Sequence, residues 1–354
     1  MKKIITVVGA RPNFMKAAPL LRLLEDESAI QSTLVHTGQH YDKNMSDVFF
    51  EDLDIKKPDF MLNVGSGSQS YQTGKIMELF EEVCMKINPD LIIVFGDINS
   101  TLASSIVAKK MQIQLAHVEA GLRSNDRNMP EEINRLATDA ISDYFFITED
   151  SAEKNLIIEG KDKDRIFHVG NLMIDSLHYG LNKIKNKEKN NENFGLITLH
   201  RPSNVDDSSK LQEIIHDLSI ISNEIKLYFS MHPRTKQQIV KNNISLGKNI
   251  IILDTLSYLD FLHLMKHCKV IFTDSGGIQE ESTVLMKPCY TLRYNTERPI
   301  TITQGTNRLV RPEKDMILKS FNKNKFEINK NYSLPFGWDG KCSNRILKII
   351  NEIL

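Results

Sequence analysis

Neither sign of charge is in excess in this chain. Lys plus Arg and Asp plus Glu each number 45. The clustered surplus of positive charge that grips nucleic acid is therefore missing, although a local anion site stays open. Cysteine is scarce: Cys84, Cys268, Cys289 and Cys342 stand far apart, with no C-x-x-C pair and hence no metal-ligand spacing. They read as buried or partly buried thiols in a reducing compartment. No stretch approaches the roughly 20 apolar residues of a membrane span. Met1-Lys2-Lys3 opens like a signal peptide, but the apolar run Ile4–Val8 is too short for an h-region and Arg11 soon follows. A cytoplasmic protein with no membrane or nucleic-acid partner is expected. There is also no G-x-G-x-x-G fingerprint and no Walker loop, which argues against a nicotinamide or P-loop nucleotide site. No internal repeat shorter than a domain is present.

The chain has 354 residues, 41% of them apolar and 25% charged. That composition suits a soluble globular protein, and that length suits two domains better than one core. Short, nearly continuous apolar runs recur at Ile4–Val8, Thr33–His36, Leu91–Phe95, Gln114–Val118 and Tyr144–Thr148. Parallel strands covered on both faces read this way. Helix-length segments at Pro12–Glu25, Tyr71–Ile87, Thr101–Lys110 and Glu131–Ala140 alternate with them, as a parallel α/β layer requires. The rhythm breaks at Lys183–Asn193, which is charged, Asn-rich and without an apolar face, so it reads as a linker or exposed helix end. It restarts with strands at Gly195–Leu199, Lys226–Met231, Ile250–Leu253, Val270–Thr273 and Cys289–Leu292, and helices at Asp207–Ser222, Tyr258–His267 and Gly277–Leu285. The predicted domains are 1–182 and 194–340, followed by an amphipathic helix in 341–354 whose apolar face must dock. Two α/β domains facing across a cleft is the simplest architecture.

Ligands of open parallel sheets bind beyond the carboxyl ends of the strands. After the first strand, Gly9 permits a tight turn and Pro12 suits a first helical turn. Arg11 and Lys16 stand near that helix start, where an anion is favoured; as plain solvated cations they would need no ligand. Asp97 follows the strand Leu91–Phe95, Glu119 follows Gln114–Val118, and Glu131 opens a helix after Pro130. Alone, Asp97 reads equally as a helix cap and Glu131 as dipole compensation. Together the three carboxylates converge on one edge of the first domain, where mutual repulsion in a water-poor cleft would raise their pKa values and make acid and base forms available.

In the second half, His200-Arg201 and His232-Pro233-Arg234 each end a strand. Thr273-Asp274-Ser275-Gly276-Gly277 ends another and opens a helix whose free N–H groups can hold a diphosphate. Glu281, a turn further on, is placed to accept a ribose diol. Arg298 offers a further cation, and Gly65–Gln69 is a weaker Gly-Ser loop.

These segments resemble one family, the UDP-N-acetylglucosamine 2-epimerases, over nearly the whole chain. The resemblance rests on GARPNFMKAAPL at Gly9–Leu20, TGQHYD at Thr37–Asp42, FGDINST at Phe95–Thr101, and HVEAGLRS with MPEEINR within His117–Arg135. It continues in TLHRPSN at Thr198–Asn204, TDSGGIQEE at Thr273–Glu281, and NTERPIT with GTNRLV within Asn295–Val310. It implies two Rossmann-like domains of the nucleotide-sugar glycosyltransferase (GT-B) type, with the last helix returning to the first domain. It implies Asp97, Glu119, Glu131 and His200 as catalytic groups, Arg11 and Lys16 near diphosphate and sugar, and Ser275, Gly276, Gly277 and Glu281 as the UDP grip. Phe261 matches an aromatic that packs on uracil; Arg201, His232 and Arg298 complete the expected substrate contacts.

Arg11-Pro12-Asn13-Phe14-Met15 looks like the non-hydrolysing branch, since hydrolysing relatives carry an R-A-D-[FY]-G type opening. Gln39 and His40 match residues that bind an activating second UDP-sugar, but Ser68 and Pro202 stand where many members carry Arg. The resemblance further implies a homodimer, no cofactor or metal, and a role in surface polysaccharide precursor synthesis. A hydrolysing epimerase, a 2-epimerase of a related UDP-diacetamido sugar, a GT-B glycosyltransferase and a non-catalytic UDP-sugar sensor are the competing expectations.

Overall fold

A computed structural model describes residues 1–39, 52–188, 191–254 and 256–354. Two parallel sheets dominate. The first comprises β1 (Lys2–Val8), β2 (Ile30–His36), β3 (Phe60–Met61), β4 (Leu91–Phe95), β5 (Gln114–Val118), β6 (Tyr144–Ile147) and β7 (Ile166–His168), in the order β3-β2-β1-β4-β5-β6-β7. The second comprises β8 (Phe194–Thr198), β9 (Lys226–Ser230), β10 (Ile250–Leu253), β11 (Val270–Thr273), β12 (Cys289–Leu292) and β13 (Asn307–Val310), in the order β10-β9-β8-β11-β12-β13. Both follow the doubly wound Rossmann order, reversing direction beside their first strand. The apolar runs became strands because both faces are covered: every residue of β4, β11 and β12 is buried.

The strands β3, β7 and β13 had no apolar run to announce them. All three are edge strands, and their residues are largely half-buried. An edge strand is covered on fewer sides and needs no continuous apolar sequence. Helices at Asp150–Ile158, Leu172–Lys183, Pro233–Lys241 and Met316–Asn324 were likewise unannounced. Within the charged stretch after Lys183, Ile184 is buried, and Lys187 pairs with Asp260 at 2.5 Å. Lys189 and Asn190 lie outside the described residues.

The described chain divides into two compact units. One is Met1–Tyr179 with Phe336–Leu354; the other is Gly180–Pro335. The terminal helix Cys342–Ile353 therefore belongs with the first sheet, and it packs on the helix Arg11–Asp26. Ile346 and Ile350 of its apolar face are fully buried. Asp175 caps its start, accepting from Cys342 N at 3.0 Å and Ser343 N at 2.8 Å. Trp338, 1% exposed, donates its indole N–H to the Thr148 carbonyl at 3.2 Å.

This return depends on a backbone-to-backbone approach. Gly170 has φ +89°, and a Cβ there would sit 1.9 Å from the Gly337 carbonyl oxygen. Gly170→Ala should therefore destabilise the protein by about 2–4 kcal/mol, combining left-handed strain with overpacking. Urea unfolding would read this as a lowered midpoint; an unchanged midpoint would mean that the return is not held at this contact.

Candidate active site

In the first unit the sheet reverses between β1 and β4, and the turns after both strands are locked to each other. A Cβ on Gly9 would lie 2.0 Å from Ser100 Oγ, so only glycine fits. Asn13 accepts from Gly9 N at 3.3 Å and donates to the Phe95 carbonyl at 2.9 Å, joining the two strand ends. One turn along the same helix, Lys16 forms a buried ion pair with Glu119. The pair lies over Gly96, whose missing Cβ would be 3.1 Å from Lys16 Nζ and 3.4 Å from Glu119 Oε2.

Glu119 has φ +72°, a left-handed conformation in a non-glycine residue, at a cost on the order of 1–3 kcal/mol. The Phe146 carbonyl fixes that turn, accepting from Glu119 N at 2.9 Å and Ala120 N at 3.2 Å. Asp97, directly after Gly96, lies 2.5 Å from Arg135 Nη2. Glu131 is half-buried in the first turn of the helix Pro130–Ile141, four positions before Arg135 and so on the same helical face.

The chain thus gathers Lys16, Asp97 and Glu119 at one strand-end cluster. Two of the three predicted carboxylates do not face each other, as the repulsion argument supposed. Each faces a cation instead; among the described residues none pairs with Glu131. Arg11 begins the helix, but its side chain and the whole of His40 lie outside the described residues. Gln39 is buried; its side-chain oxygen accepts from Ser100 N at 3.1 Å and Ser100 Oγ at 2.9 Å. Ser68 caps the helix Gln69–Ile87, accepting from Tyr71 N at 3.2 Å.

In the second unit the reversal lies between β8 and β11. Asp274, fully buried after β11, accepts from His200 N at 3.1 Å, Arg201 N at 3.0 Å and Asn204 Nδ2 at 3.2 Å, and lies 3.1 Å from His200 Nδ1. Asp274 therefore fixes the His200-Arg201 turn to the Ser275 turn and holds the half-exposed His200 ring. The sequence showed Asp274 only as part of a Gly-rich turn. Pro202 opens the short helix Pro202–Val205 right after it.

Ser275 is the N-cap residue of the helix Gly276–Val284, without a side-chain cap bond. Ser275, Gly276 and Gly277 are half-buried, so this helix start is reachable. Beside it lies a buried charge cluster. Arg298 is 2.5 Å from Glu297 and 2.8 Å from Glu280, Arg293 is 2.8 Å from Glu297, and Arg201 is 4.0 Å from Glu297. These guanidiniums lie beside the N–H groups of the helix start, where the helix dipole favours an anion. Glu281, buried, accepts from Tyr258 Oη at 2.9 Å, and Tyr258 shares its helix with the half-buried Phe261. His232 caps the helix Pro233–Lys241, accepting from Arg234 N at 3.2 Å, and its ring lies 6.3 Å from that of His200.

Several buried carboxylates tie this scaffold to pH. Burial alone would raise Asp139, Glu132 and Glu297. Asp139 is instead held below the ordinary range by His117 and Arg123, Glu132 by Ser124 N, Arg135 and Asn125 N, and Glu297 by Arg298 and Arg293. Groups with depressed folded values stabilise the fold above their unfolded pKa, and that contribution is lost as pH falls through the folded values. Thermal stability should therefore decline below about pH 4.5, where the unfolded carboxylates begin to protonate. A melting temperature unchanged between pH 5 and pH 3 would contradict these assignments.

This geometry places cation-paired carboxylates at one strand-end switch point and a reachable helix start beside buried arginines at the other. A family model described as UDP-N-acetylglucosamine 2-epimerase matches residues 22–351. The UDP-N-acetylglucosamine 2-epimerase of Methanocaldococcus jannaschii is 42% identical over 98% of both chains. Its crystal structure in complex with UDP-GlcNAc and UDP superposes with a TM-score of 0.91 at 41% identity, covering 99% of this chain and 100% of that one. The UDP-2,3-diacetamido-2,3-dideoxy-D-glucuronate 2-epimerase of Pseudomonas aeruginosa is 36% identical, over 99% of this chain and all of its own. The chain belongs to the UDP-N-acetylglucosamine 2-epimerase family.

Proposed function

We propose that this protein interconverts UDP-N-acetylglucosamine and UDP-N-acetylmannosamine without releasing the sugar from UDP. The observation that carries the reading is the distribution of charge between the two sheets. The first sheet's switch point holds Asp97 and Glu119, each beside a cation, and the second holds a reachable helix start beside Arg298 and Arg201. In this reading the first domain supplies the acid and base groups and the second grips UDP.

The chemistry sets the need for both. The C2–H of a pyranose has no neighbouring carbonyl and is not acidic. Breaking the C1–O bond first gives oxocarbenium character at C1, which acidifies C2–H. UDP leaves with the bonding pair, a carboxylate takes the C2 proton, and 2-acetamidoglucal forms by anti elimination. An acid then returns a proton to the opposite face of C2 while a diphosphate oxygen re-forms the bond to C1. Arg11, Lys16 and the Ser275–Gly277 helix start would stabilise the leaving diphosphate. Asp97, Glu119 and Glu131 would move protons on the two faces, with His200 held by Asp274 as a further proton carrier. Water must be kept from the cation, because hydrolysis would divert it.

Incubation with UDP-N-acetylglucosamine, followed by NMR, tests the reading. A UDP-linked manno product supports it; free N-acetylmannosamine with UDP would make the protein a hydrolysing epimerase instead. The likeness to the diacetamido-uronate enzyme favours one second reading, decided by comparing kcat/KM for the two UDP-sugars. In keeping with the family resemblance, we place the protein in the cytoplasm as a homodimer, which sedimentation would test.

A further inference from the structure

Behind the first strand-end cluster lies a second layer, wholly buried at His117 and Asp139, that the proposed reaction does not use. His117 is in β5, two residues before Glu119, and is 0% exposed. Its Nδ1 lies 2.6 Å from Asp139 Oδ1, and its Nε2 lies 2.8 Å from the carbonyl oxygen of Gly96, the residue before Asp97. Asp139, also 0% exposed, takes the Gly121 N–H at 3.0 Å on its other oxygen and has Arg123 Nη1 at 2.7 Å. Arg123 is in turn forked onto Glu159 at 2.9 and 2.6 Å.

Four elements meet in this network. They are the turn after β4 that carries Asp97, the end of β5 with Glu119, the helix Pro130–Ile141 with Glu131 and Asp139, and the helix Asp150–Ile158, which Glu159 follows. All three expected acid/base carboxylates therefore hang from backbone that this network ties together.

A carbonyl oxygen only accepts, so His117 donates to Gly96 from Nε2. Asp139 accepts from Gly121 N and lies against His117 and Arg123, which hold it below its ordinary range despite its burial. Buried ion pairs contribute little net stability over apolar replacements, and their attested use is to fix one geometry.

We infer that His117, Asp139 and Arg123 form a buried charged brace of positioning residues that fixes Asp97 and Glu119 for proton transfer at C2. This inference rests on the proposed epimerase reading. The network touches no substrate-facing atom directly: it acts through the Gly96 carbonyl beside Asp97 and through the Gly121 N–H, two residues past the left-handed Glu119. A displacement of about 1 Å of a reacting group lowers rates by roughly 100-fold.

The test combines kinetics with side-chain NMR. In folded Asp139→Asn and His117→Gln, kcat for UDP-N-acetylglucosamine epimerisation should fall about 100-fold while KM stays within about threefold. A purely structural role predicts lower melting temperature with kcat per folded molecule unchanged, and kcat within twofold of wild type in either folded variant would overturn the brace. If Asp139→Asn does not fold, His117→Gln decides. Nitrogen-15 spectra of the wild-type protein should show His117 Nε2 protonated, as its contact with the Gly96 carbonyl requires; a bare Nε2 would overturn the brace. Should the wild-type protein not epimerise the sugar at all, the functional reading fails, and the ring spectrum still decides whether the hydrogen-bonded network exists.

Discussion

Glu119→Gln is expected to lower kcat by about 100- to 10,000-fold, the range that a positioned acid or base contributes. The amide keeps the shape of the side chain and can still contact Lys16, so the strained turn at φ +72° should survive. What disappears is the capacity to take or return a proton, together with the partner charge of a buried lysine. Because Glu119 is not itself among the groups placed on the diphosphate, UDP affinity should stay within about threefold. The measurement is paired: steady-state epimerisation for kcat, and calorimetric titration with UDP for affinity. A variant with near wild-type turnover would remove Glu119 from the proton-transfer chemistry. A large loss of UDP affinity at unchanged kcat would make it a binding residue instead.

Gly276→Val should produce the opposite split. The Cβ would lie 3.0 Å from Arg298 Nη1 and 3.1 Å from Glu297 Oε1, and the branched methyls would occupy the half-open space at the helix start. An anion kept from that start loses one or two charge-assisted hydrogen bonds, worth about 1.5–3 kcal/mol each. UDP affinity should therefore fall about 10- to 100-fold or more, since each 1.4 kcal/mol is tenfold. Solvent exchange at C2 in any substrate that still binds should be reduced far less. Calorimetry with UDP reads the first effect; unaltered UDP affinity would move the diphosphate away from the Ser275 turn.

The two variants separate the halves of the chemistry, and the sequence had already separated them. Its strand ends were legible because covered parallel strands must be apolar and their polar successors stand out: Asp97, Glu119, His200 and Ser275 each follow such a run. Edge strands such as β3 and β7 lacked that constraint and left no signal. The supporting groups were illegible for another reason. Asp139 sits in the last turns of an amphipathic helix and Asp274 within a Gly-rich turn, and nothing local shows that either carboxylate is fully buried against backbone N–H groups. Their partners are 18 to 74 residues away in the chain. The balance between Asp97 and Arg135, 38 residues apart, was hidden in the same way. Counting carboxylates predicted repulsion, whereas the fold supplied cations.

If the glycal route operates, UDP leaves C1, the C2 proton passes to a carboxylate, and UDP rejoins C1 as a new proton reaches C2, all before the sugar escapes. Turnover of UDP-N-acetylglucosamine in heavy water, read by NMR at C2 of the product, tests it most directly. UDP-N-acetylmannosamine carrying one solvent deuteron at C2 is the expected product. A manno product that retains the original hydrogen at C2 would contradict it.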